Sequence, residues 1–344
     1  MPVLYRHLDA LPERFRGGVV SIGNFDGVHW GHARIVERLL SMARRQEVRA
    51  VILTFDPHPA RLLRPRQAPT PLSWTEHKAQ LLYELGVDAV VAYPTDPALL
   101  ELTAAEFFDR IILGQLRARG MVEGQNFFFG HDRGGNIEVL GQFCRRAGIS
   151  LEVVEPVRID GQVVSSSRVR TLISAGAVAE AARLLTRPYR IRGTVIHGQG
   201  RGNKMGYPTA NVGEIGTLLP GEGIYAGQAW IDGKSYAAAM SLGGNPTFDE
   251  SEQKVEAYLL DYHGDLYGRP IEIDFLSRLR DIKRFDSAGQ LIDQMALDVQ
   301  ETRRIVALVV PPGQHVPVVG GNHGIETGET GNYEQYPRPT VHDS

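Results

Sequence analysis

Short apolar runs alternate with amphipathic segments over the first half of the chain. Apolar runs of about four to eight residues predict buried strands, and apolar residues repeated every three or four positions predict helices. Their alternation is typical of βαβ units, so we expect a parallel sheet with flanking helices. The predicted strands are Gly18–Ile22, Val48–Thr54, Ala89–Ala92, Gly120–Val122 and Leu151–Val154, and the predicted helices are His32–Arg45, Thr75–Leu85, Ala104–Leu113 and Asn136–Ala147.

The pattern changes between Leu184 and Arg190. The second of two predicted helices, Val169–Ser174 and Val178–Leu185, ends there, and Pro188 interrupts the helical spacing before a period of two begins. Short strands at even spacing, followed by one amphipathic helix, predict a small antiparallel β-barrel with a C-terminal helix. The predicted strands are Tyr189–His197, Ile224–Ile231, Tyr236–Leu242, Lys254–Leu260 and Ile271–Leu279, and the predicted helix is Ser287–Leu308.

Length and pattern together divide the chain into two folded domains and a tail. The 344 residues are enough to bury two hydrophobic cores. We expect the first domain in residues 1–186 and the second in residues 187–310. Residues 311–344 are rich in Gly, Pro, Thr, Glu and His and show no periodicity, so we expect them to be disordered.

The composition indicates which kinds of partner and which cellular compartment to expect. The formal net charge is −3 and the pI is about 6.4, so no strongly basic surface favours nucleic acid. Cys144 is the only cysteine, which is typical of a reducing compartment. The N-terminus lacks the apolar core of a signal peptide, and no apolar run reaches about 18 residues. We therefore expect a cytoplasmic protein without nucleic acid or membrane partners, whose oligomeric state the sequence does not indicate.

A glycine-bearing turn joins the first predicted strand to the first predicted helix. It reads Gly23-Asn24-Phe25-Asp26-Gly27-Val28-His29-Trp30-Gly31-His32. His29 and His32 are three residues apart, which places them on one face of a first helical turn. The free N–H groups and positive dipole end of that helix suit a phosphate. The alternatives are a chance pair of histidines and a zinc site, although zinc needs further ligands for which the sequence offers no obvious candidates.

Two other loops follow predicted strands, so we expect them at the same edge of the sheet. The loop Phe55-Asp56-Pro57-His58-Pro59 is stiff because its two prolines fix φ. Ordinary turn chemistry explains this loop equally well. The loop of residues 124–130 holds three phenylalanines between glycines, and the amide of Asn126 suits a phosphate. Core packing is the alternative role of the phenylalanines.

A run of serines and arginines precedes another predicted helix. It reads Ser165-Ser166-Ser167-Arg168-Val169-Arg170. Serines before a helix are ordinary N-caps, and that role alone would explain them. Hydroxyls combined with arginines also form phosphate-binding clusters. Both interpretations remain open on these residues alone.

The predicted barrel contains a second group of polar residues. A glycine-rich, basic stretch in residues 197–206 precedes Tyr207-Pro208-Thr209-Ala210-Asn211. The stretch lacks the Gly-Lys-Ser/Thr ending and the following helix of a P-loop. A glycine-rich hairpin is by itself more often only a turn. Glu256 lies in an apolar strand pattern, where a lone acid is ordinarily an outward, solvated residue.

Together these motifs resemble those of prokaryotic bifunctional riboflavin kinase/FAD synthetases. Residues 23–32 are similar to the Gly-Asn-Phe-Asp-Gly-Val-His-x-Gly-His signature of the adenylyltransferase half of that family. Residues 206–211 are similar to the Gly-x-Pro-Thr-Ala-Asn signature of its riboflavin kinase half. The resemblance extends over about residues 17–308, with the motifs in the same order. It implies a Rossmann-like nucleotidyltransferase domain followed by a riboflavin kinase barrel.

The resemblance implies that the N-terminal domain transfers AMP from ATP to FMN, which gives FAD and pyrophosphate. His29 and His32 would then stabilise charge on the α-phosphate and on the departing pyrophosphate. The implied ATP-binding residues are Gly23, Asn24, Phe25, Asp26, His29, His32, Ser166, Ser167 and Arg170. The implied flavin-binding residues are Phe55, Pro57, Pro59 and Asn126.

The resemblance also implies that the barrel transfers the γ-phosphate of ATP to riboflavin, which gives FMN. Glu256 would be the general base that accepts the proton of the ribityl hydroxyl. Thr209 and Asn211 would bind Mg²⁺ and ATP phosphate, in keeping with their hard oxygen donors. The implied ATP-binding residues of the barrel are Gly198, Gly200, Gly206, Pro208, Thr209 and Asn211.

The chain departs from the family pattern at four positions. Ser167 replaces threonine, Val169 replaces isoleucine, Tyr207 replaces phenylalanine, and Phe128 stands where the family often has a basic residue. Arg133 is a nearby cation that would supply the missing charge. One alternative function is therefore a riboflavin kinase with a degenerate adenylyltransferase domain, and a second is a non-catalytic flavin-binding module. The intact histidines and the intact barrel motif argue against both.

Overall fold

The fold is taken from a computed structural model of the chain. It describes residues 4–198, 202, 206–245 and 250–309. Gly200, which was predicted to bind ATP, and the predicted disordered tail of residues 311–344 both lie outside the described residues.

The N-terminal unit is built on a six-stranded parallel sheet, as the alternating pattern predicts. Its central strands are buried on both faces, which explains their nearly continuous apolar sequences. The spatial order is β1-β4-β3-β2-β5-β6. The strands are β1 Leu4–Tyr5, β2 Val19–Ile22, β3 Ala50–Asp56, β4 Ala89–Pro94, β5 Gly120–Gly124 and β6 Ser150–Val154. The edge strand β1 has only two residues in a charged segment, and the sequence pattern does not predict it.

Helices cover the faces of this sheet and extend from it toward the barrel. They are α1 Trp30–Arg45, α2 Ala60–Leu63, α3 Thr75–Glu84, α4 Pro97–Glu101, α5 Ala104–Phe107, α6 Ile137–Ala147, α7 Ser166–Ser174 and α8 Val178–Leu184. A π-helix over Phe108–Gln115 continues α5, so the single predicted helix at this place is two elements. Two short antiparallel strands, β7 Arg158–Ile159 and β8 Gln162–Val163, precede α7.

The sheet order changes direction between β2 and β5. The chain proceeds outward from β2 through β3 to β4, and then returns to build β5 and β6 on the other side. Ligands of open parallel sheets bind in the crevice at such a switch point, outside the carboxyl ends of the strands. The ladder between β2 and β5 ends at Val20, and the Oε1 atom of Glu123 then accepts a hydrogen bond from the N–H of Ile22 at 2.7 Å. Glu123 therefore holds the end of β2 where strand pairing has stopped.

The C-terminal unit is a closed antiparallel barrel of six strands, with the order β10-β13-β12-β11-β14-β9. Apolar residues alternate between the interior and the outer face, as in the buried Ala210 and Val212 of β10. The strands are β9 Tyr189–Ile196, β10 Thr209–Gly213, β11 Gly223–Ile231, β12 Lys234–Asn245, β13 Glu250–Leu259 and β14 Pro270–Arg280. The predicted terminal helix is present as α9 Ala288–Val309. Strand β10 is not among the predicted strands.

The two units share one hydrophobic cluster. Helices α7 and α8 contribute buried residues such as Ile173 and Leu184 to the same cluster as barrel residues such as Tyr225 and Phe275. Backbone hydrogen bonds cross the junction, from the Leu218 N–H to the Pro71 carbonyl at 2.9 Å and from the Gly221 N–H to the Ile173 carbonyl at 3.0 Å. The barrel is therefore packed against the sheet unit rather than merely tethered to it.

We expect the Ile173→Ala substitution to reduce the free energy of unfolding by about 2–5 kcal/mol, because it removes buried methyl groups from the shared cluster. The measurement is urea unfolding followed by circular dichroism. The matched control is Leu297→Ala, in a side chain that is 59% exposed, which should change stability by about 0.5 kcal/mol or less. Equal effects of the two substitutions would contradict a shared core at Ile173.

Candidate functional site

The turn after β2 owes its shape to glycines at two positions. Gly27 has φ +81°, and a Cβ atom there would lie 2.9 Å from the Leu72 side chain. Gly31 lies in the first turn of α1, where a Cβ atom would be 3.0 Å from the His29 ring. Glycine at both positions lets the turn close over the sheet and lets the His29 ring lie against the start of the helix.

The two predicted histidines form a stacked pair at the start of α1. Their ring centroids are 3.7 Å apart, and the Phe25 ring packs 5.0 Å from that of His32. His29 is the N-cap, because its Nδ1 atom accepts a hydrogen bond from the His32 backbone N–H at 3.3 Å. A neutral His29 that accepts at Nδ1 carries its proton on Nε2. The Nε2–H group is then the donor that His29 offers to a ligand.

Burial keeps both imidazoles neutral at pH 7. Burial, together with a smaller effect of the positive charge of Arg170, lowers the pKa of His29 to about 4. Burial also lowers the pKa of His32 well below its usual value, as do the nearby His29 and Lys78. The pair therefore supplies hydrogen-bond donors and a polarisable surface rather than two fixed positive charges.

Three buried polar atoms near this pair have no hydrogen-bond partner within the described residues. They are Ser21 Oγ, Asn24 Oδ1 and His32 Nδ1, and they belong to the end of β2, the following turn and the first turn of α1. A buried polar group without a partner costs about 1–3 kcal/mol. This clustering next to a helix N-terminus is what a polar ligand would satisfy.

The Asp26 carboxylate connects three segments of the sheet unit. It accepts hydrogen bonds from the N–H groups of Leu72 at 3.0 Å and Ser73 at 3.1 Å, and it forms an ion pair with Arg170. Ser166 Oγ donates to the Asp26 carbonyl at 2.9 Å. Asp26, Ser166 and Arg170 were predicted to bind ATP, and the structure gives each of them a partner within the protein. Ser167, from the same run, is exposed at the start of α7.

A cavity of about 510 Å³ opens between the sheet unit and the barrel. Phe55 and Pro57, two of the predicted flavin-binding residues, line it from the end of β3. Its sheet side also includes Trp74 and Lys78, and its barrel side includes Arg192, Thr194 and Pro270. Pro59 is the N-cap residue of α2, and it is not among the lining residues.

The loop after β5 lies on the other side of β2 from this cavity. Asn126 is exposed there and is not among the residues that line the cavity. Phe127 and Phe129 stack at 5.3 Å and pack into the core, whereas Phe128 is 45% exposed. The Arg133 guanidinium lies 4.1 Å from the centre of the Phe128 ring, so a cation is present where the family pattern led us to look for one.

Sequence reasoning missed two buried titratable groups beside the site. Glu123 is 2% exposed, and burial raises the pKa of its carboxyl well above the usual value. Lys78 is 7% exposed on the buried face of α3, where Ala79, Leu81 and Leu82 are also buried. Lys78 is four residues before Leu82, and helix positions i and i+4 share a face. This spacing was the available signal that Lys78 lies on the apolar face of α3.

Three of the predicted kinase residues, Thr209, Asn211 and Glu256, lie together on the outer face of the barrel. Asn211 of β10 is directly opposite Glu256 of β13, and Thr209 is two positions along the same strand, on the same face. Ser241 of β12 is opposite Glu256 on its other side, and no motif in the sequence indicates this position. A Cβ atom at Gly198 would lie 2.0 Å from the Asn211 side chain, so only glycine allows the chain to pass there.

The donor set on this face suits a metal bound jointly with phosphates. No group of three or more His, Cys, Asp or Glu side chains that could hold a metal occurs in the described part of the chain. The hydroxyl of Thr209 and the amide of Asn211 are instead hard oxygen donors, and Mg²⁺ accepts few protein ligands when it keeps water and substrate phosphates. The residues present therefore fit Mg²⁺ in a nucleotide complex.

Comparisons with known proteins cover both units. The family model for FAD synthetase matches residues 11–168, and the family model for riboflavin kinase matches residues 185–306. The bifunctional riboflavin kinase/FMN adenylyltransferase of Pseudomonas fluorescens is 37% identical over 305 residues, which are 88% of this chain and 98% of that protein. The protein of the same name from Escherichia coli K12 is 32% identical over 296 residues, which are 86% and 95% of the two chains.

One solved structure is similar over both units. It is a crystal structure from Streptococcus pneumoniae, titled a macrolide-efflux protein, with a TM-score of 0.77 and 31% identity. The match covers 88% of this chain and 98% of that one, so the sheet unit followed by a barrel is common to both. None of the helices in the described ranges of this chain has both the length and the apolar character needed to span a bilayer.

We expect the stability of the protein to fall with acidification more steeply than that of a His29→Asn variant. Asparagine keeps the N-cap acceptor but cannot titrate. Because the pKa of His29 is about 4 in the folded chain and about 6.5 when unfolded, only the unfolded chain binds this proton between those values. Stability therefore falls by about 1.4 kcal/mol per pH unit over that range, or about 2 kcal/mol by pH 5. Urea unfolding at pH 7 and pH 5 measures the difference, and parallel losses in both proteins would contradict a buried neutral His29.

Proposed function

Because the chain belongs to the family of bifunctional riboflavin kinase/FMN adenylyltransferases, we propose that its barrel converts riboflavin to FMN and its sheet unit converts FMN to FAD. Both reactions use ATP. The observation that supports this most is the occurrence of two separate polar groups, the stacked histidines at the switch point and the Asn211–Glu256 pair on the barrel. We assign residues 1–186 to adenylyl transfer and residues 187–310 to the kinase, and we expect both to act in the cytoplasm.

In the kinase reaction, the 5′-hydroxyl oxygen of riboflavin attacks the γ-phosphorus of ATP, and the bond from that phosphorus to the β–γ bridging oxygen breaks. Glu256 accepts the hydroxyl proton, and ADP leaves. Thr209 and Asn211 would hold Mg²⁺, which when bound offsets the negative charge of the phosphates. The close approach of Gly198 to the Asn211 side chain places the start of the glycine-rich stretch beside these residues.

In the adenylyl transfer, an oxygen of the FMN phosphate attacks the α-phosphorus of ATP, and pyrophosphate leaves. The nucleophile is already an anion, so the site needs no strong base. His29 and His32 would donate hydrogen bonds to the α-phosphate and to the departing oxygen, together with the N–H groups at the start of α1. Asp26, Ser166 and Arg170 would position these groups, because their side chains are engaged with one another and with the turn.

The flavin ring of FMN would occupy the cavity beside Phe55 and Pro57, whose apolar surfaces suit an aromatic ring. Asn126 would then assist ATP from the β5 side of the switch point. A degenerate adenylyltransferase is disfavoured because the Arg133 guanidinium lies over Phe128 and restores a cation to that loop.

We expect Glu256→Gln to reduce FMN formation by about 10²–10⁴-fold, because glutamine keeps the volume of glutamate but cannot accept the hydroxyl proton. FAD formation from supplied FMN should persist, since the adenylyl site is separate. The measurement is chromatographic separation of FMN and FAD after incubation with riboflavin or FMN, ATP and Mg²⁺. Loss of both activities would count against the assignment of Glu256.

The double substitution His29→Ala and His32→Ala should have the converse effect. FAD formation from FMN should fall by about 10²–10³-fold, because the donors to the α-phosphate are removed. FMN formation from riboflavin, measured in the same preparation, should be unchanged and serves as the control for folding. An unchanged FAD yield would refute the role of the histidines.

A further inference from the structure

Lys78 is a buried cation that the two reactions above do not use. Its side chain lies on the inward face of α3 and is 7% exposed. Its only hydrogen bond among the described residues goes from Nζ to Thr54 Oγ1, at 3.3 Å. An ammonium group has three donors, so two of them are left for another acceptor.

The nearby carboxylates do not pair with Lys78. Asp26 is engaged by Arg170 and by backbone N–H groups, and Asp56 is engaged by Arg6 at 2.6 Å and by Thr75 Oγ1 at 2.8 Å. In the part of the chain that the structure describes, no carboxylate oxygen lies within 4.0 Å of Nζ. Burial of the ammonium group lowers the pKa of Lys78, and the charges of Asp26 and Asp56 offset only part of this cost. This arrangement indicates an anion that binds from outside the chain.

The Lys78 side chain reaches from α3 to β3, where its Nζ atom donates to Thr54. Lys78 lines the cavity together with Phe55 and Pro57. On its other side, Thr54 Oγ1 donates to the Asn24 carbonyl at 3.1 Å, within the turn that carries the histidines. The charge of Lys78 also reaches His32, whose pKa it lowers. Lys78 therefore lies between the residues proposed to hold the flavin ring and those proposed to hold the α-phosphate.

We propose that Lys78 binds the phosphate group of FMN and holds its attacking oxygen next to the α-phosphate of ATP. This inference rests on the adenylyltransferase function proposed above. The FMN phosphate is favoured over an ATP phosphate because Lys78 is on the β3 side of β2, in the flavin cavity. The crevice expected for ATP is on the β5 side. A dianion that must approach a second anion also gains most from a cation in a site with little water.

The first test is the Michaelis constant for FMN in FAD formation by Lys78→Met, which keeps the length of the side chain and removes its charge. We expect the KM for FMN to rise by about 10- to 100-fold, the effect of losing a charged hydrogen bond. Lys78→Arg should recover most of this loss because it restores the cation. Lys234→Met, at an exposed lysine of the barrel, is the matched control and should behave as the unmodified protein.

Lumiflavin separates a phosphate contact from general damage to the cavity. It has the flavin ring but no ribityl phosphate, and it cannot be phosphorylated by the barrel. Its inhibition constant against FMN should be the same in Lys78→Met and in the unmodified protein. A parallel rise of the lumiflavin constant and the KM for FMN would overturn the proposal, because it would mean that the cavity itself had changed.

The KM values for FMN and ATP are measured in each variant. An unchanged KM for FMN, or an increase in the KM for ATP alone, would also overturn the proposal. FMN formation from riboflavin reports folding in each variant, and Lys78→Gln is measured in the same way if the methionine variant loses that activity. Failure of the unmodified protein to make FAD would instead refute the proposed function, so the two failures are distinguishable.

Discussion

The Asp26 carboxylate is the constraint on which the N-terminal site depends. It is 6% exposed and binds backbone N–H groups of Leu72 and Ser73 together with the guanidinium of Arg170. These contacts join the turn after β2, the segment before α3 and helix α7. Removing one partner of such a buried pair leaves the other charge without compensation, which is strongly destabilising. The histidine pair, Lys78 on α3 and the position of α7 are therefore set by a single side chain.

Helix α7 transmits this constraint to the barrel. The guanidinium of Arg170 on this helix binds Asp26. The apolar side of the helix contributes Val169 and Ile173 to the cluster shared with the barrel strands. The cavity between the units is consequently a fixed feature, with walls from both of them. The face proposed for the kinase reaction, with Thr209, Asn211 and Glu256, is organised differently, by the register of two neighbouring strands. The N-terminal site thus depends on packing between the two units, whereas the site on the barrel depends on strand pairing within the barrel.

The local spacing of apolar and polar residues predicted most helices and strands. Contacts between distant parts of the chain explain the features that this spacing did not predict. The alternation of apolar runs and amphipathic segments was enough to predict the parallel sheet. The alternation of apolar and polar residues at every second position was enough to predict most strands of the barrel. The strand Thr209–Gly213 follows a glycine-rich stretch that has no period, and the two-residue strand Leu4–Tyr5 is too short to show one. The family resemblance assigns both Asp26 and Arg170 to ATP binding, and nothing in the sequence indicates that these residues, 144 positions apart, also bind each other. Lys78 was missed because a lysine in a helix is ordinarily solvated, and only the fold shows that it is buried.

The two proposed sites require that a single chain use two molecules of ATP in sequence. The most direct measurement supplies riboflavin and Mg²⁺ with ATP labelled with ³²P at either the γ- or the α-phosphate, and then separates the flavins. We expect γ-label to enter both FMN and FAD, whereas α-label should enter FAD alone and never FMN. Absence of α-label from every flavin product, with γ-labelled FMN present, would contradict the claim.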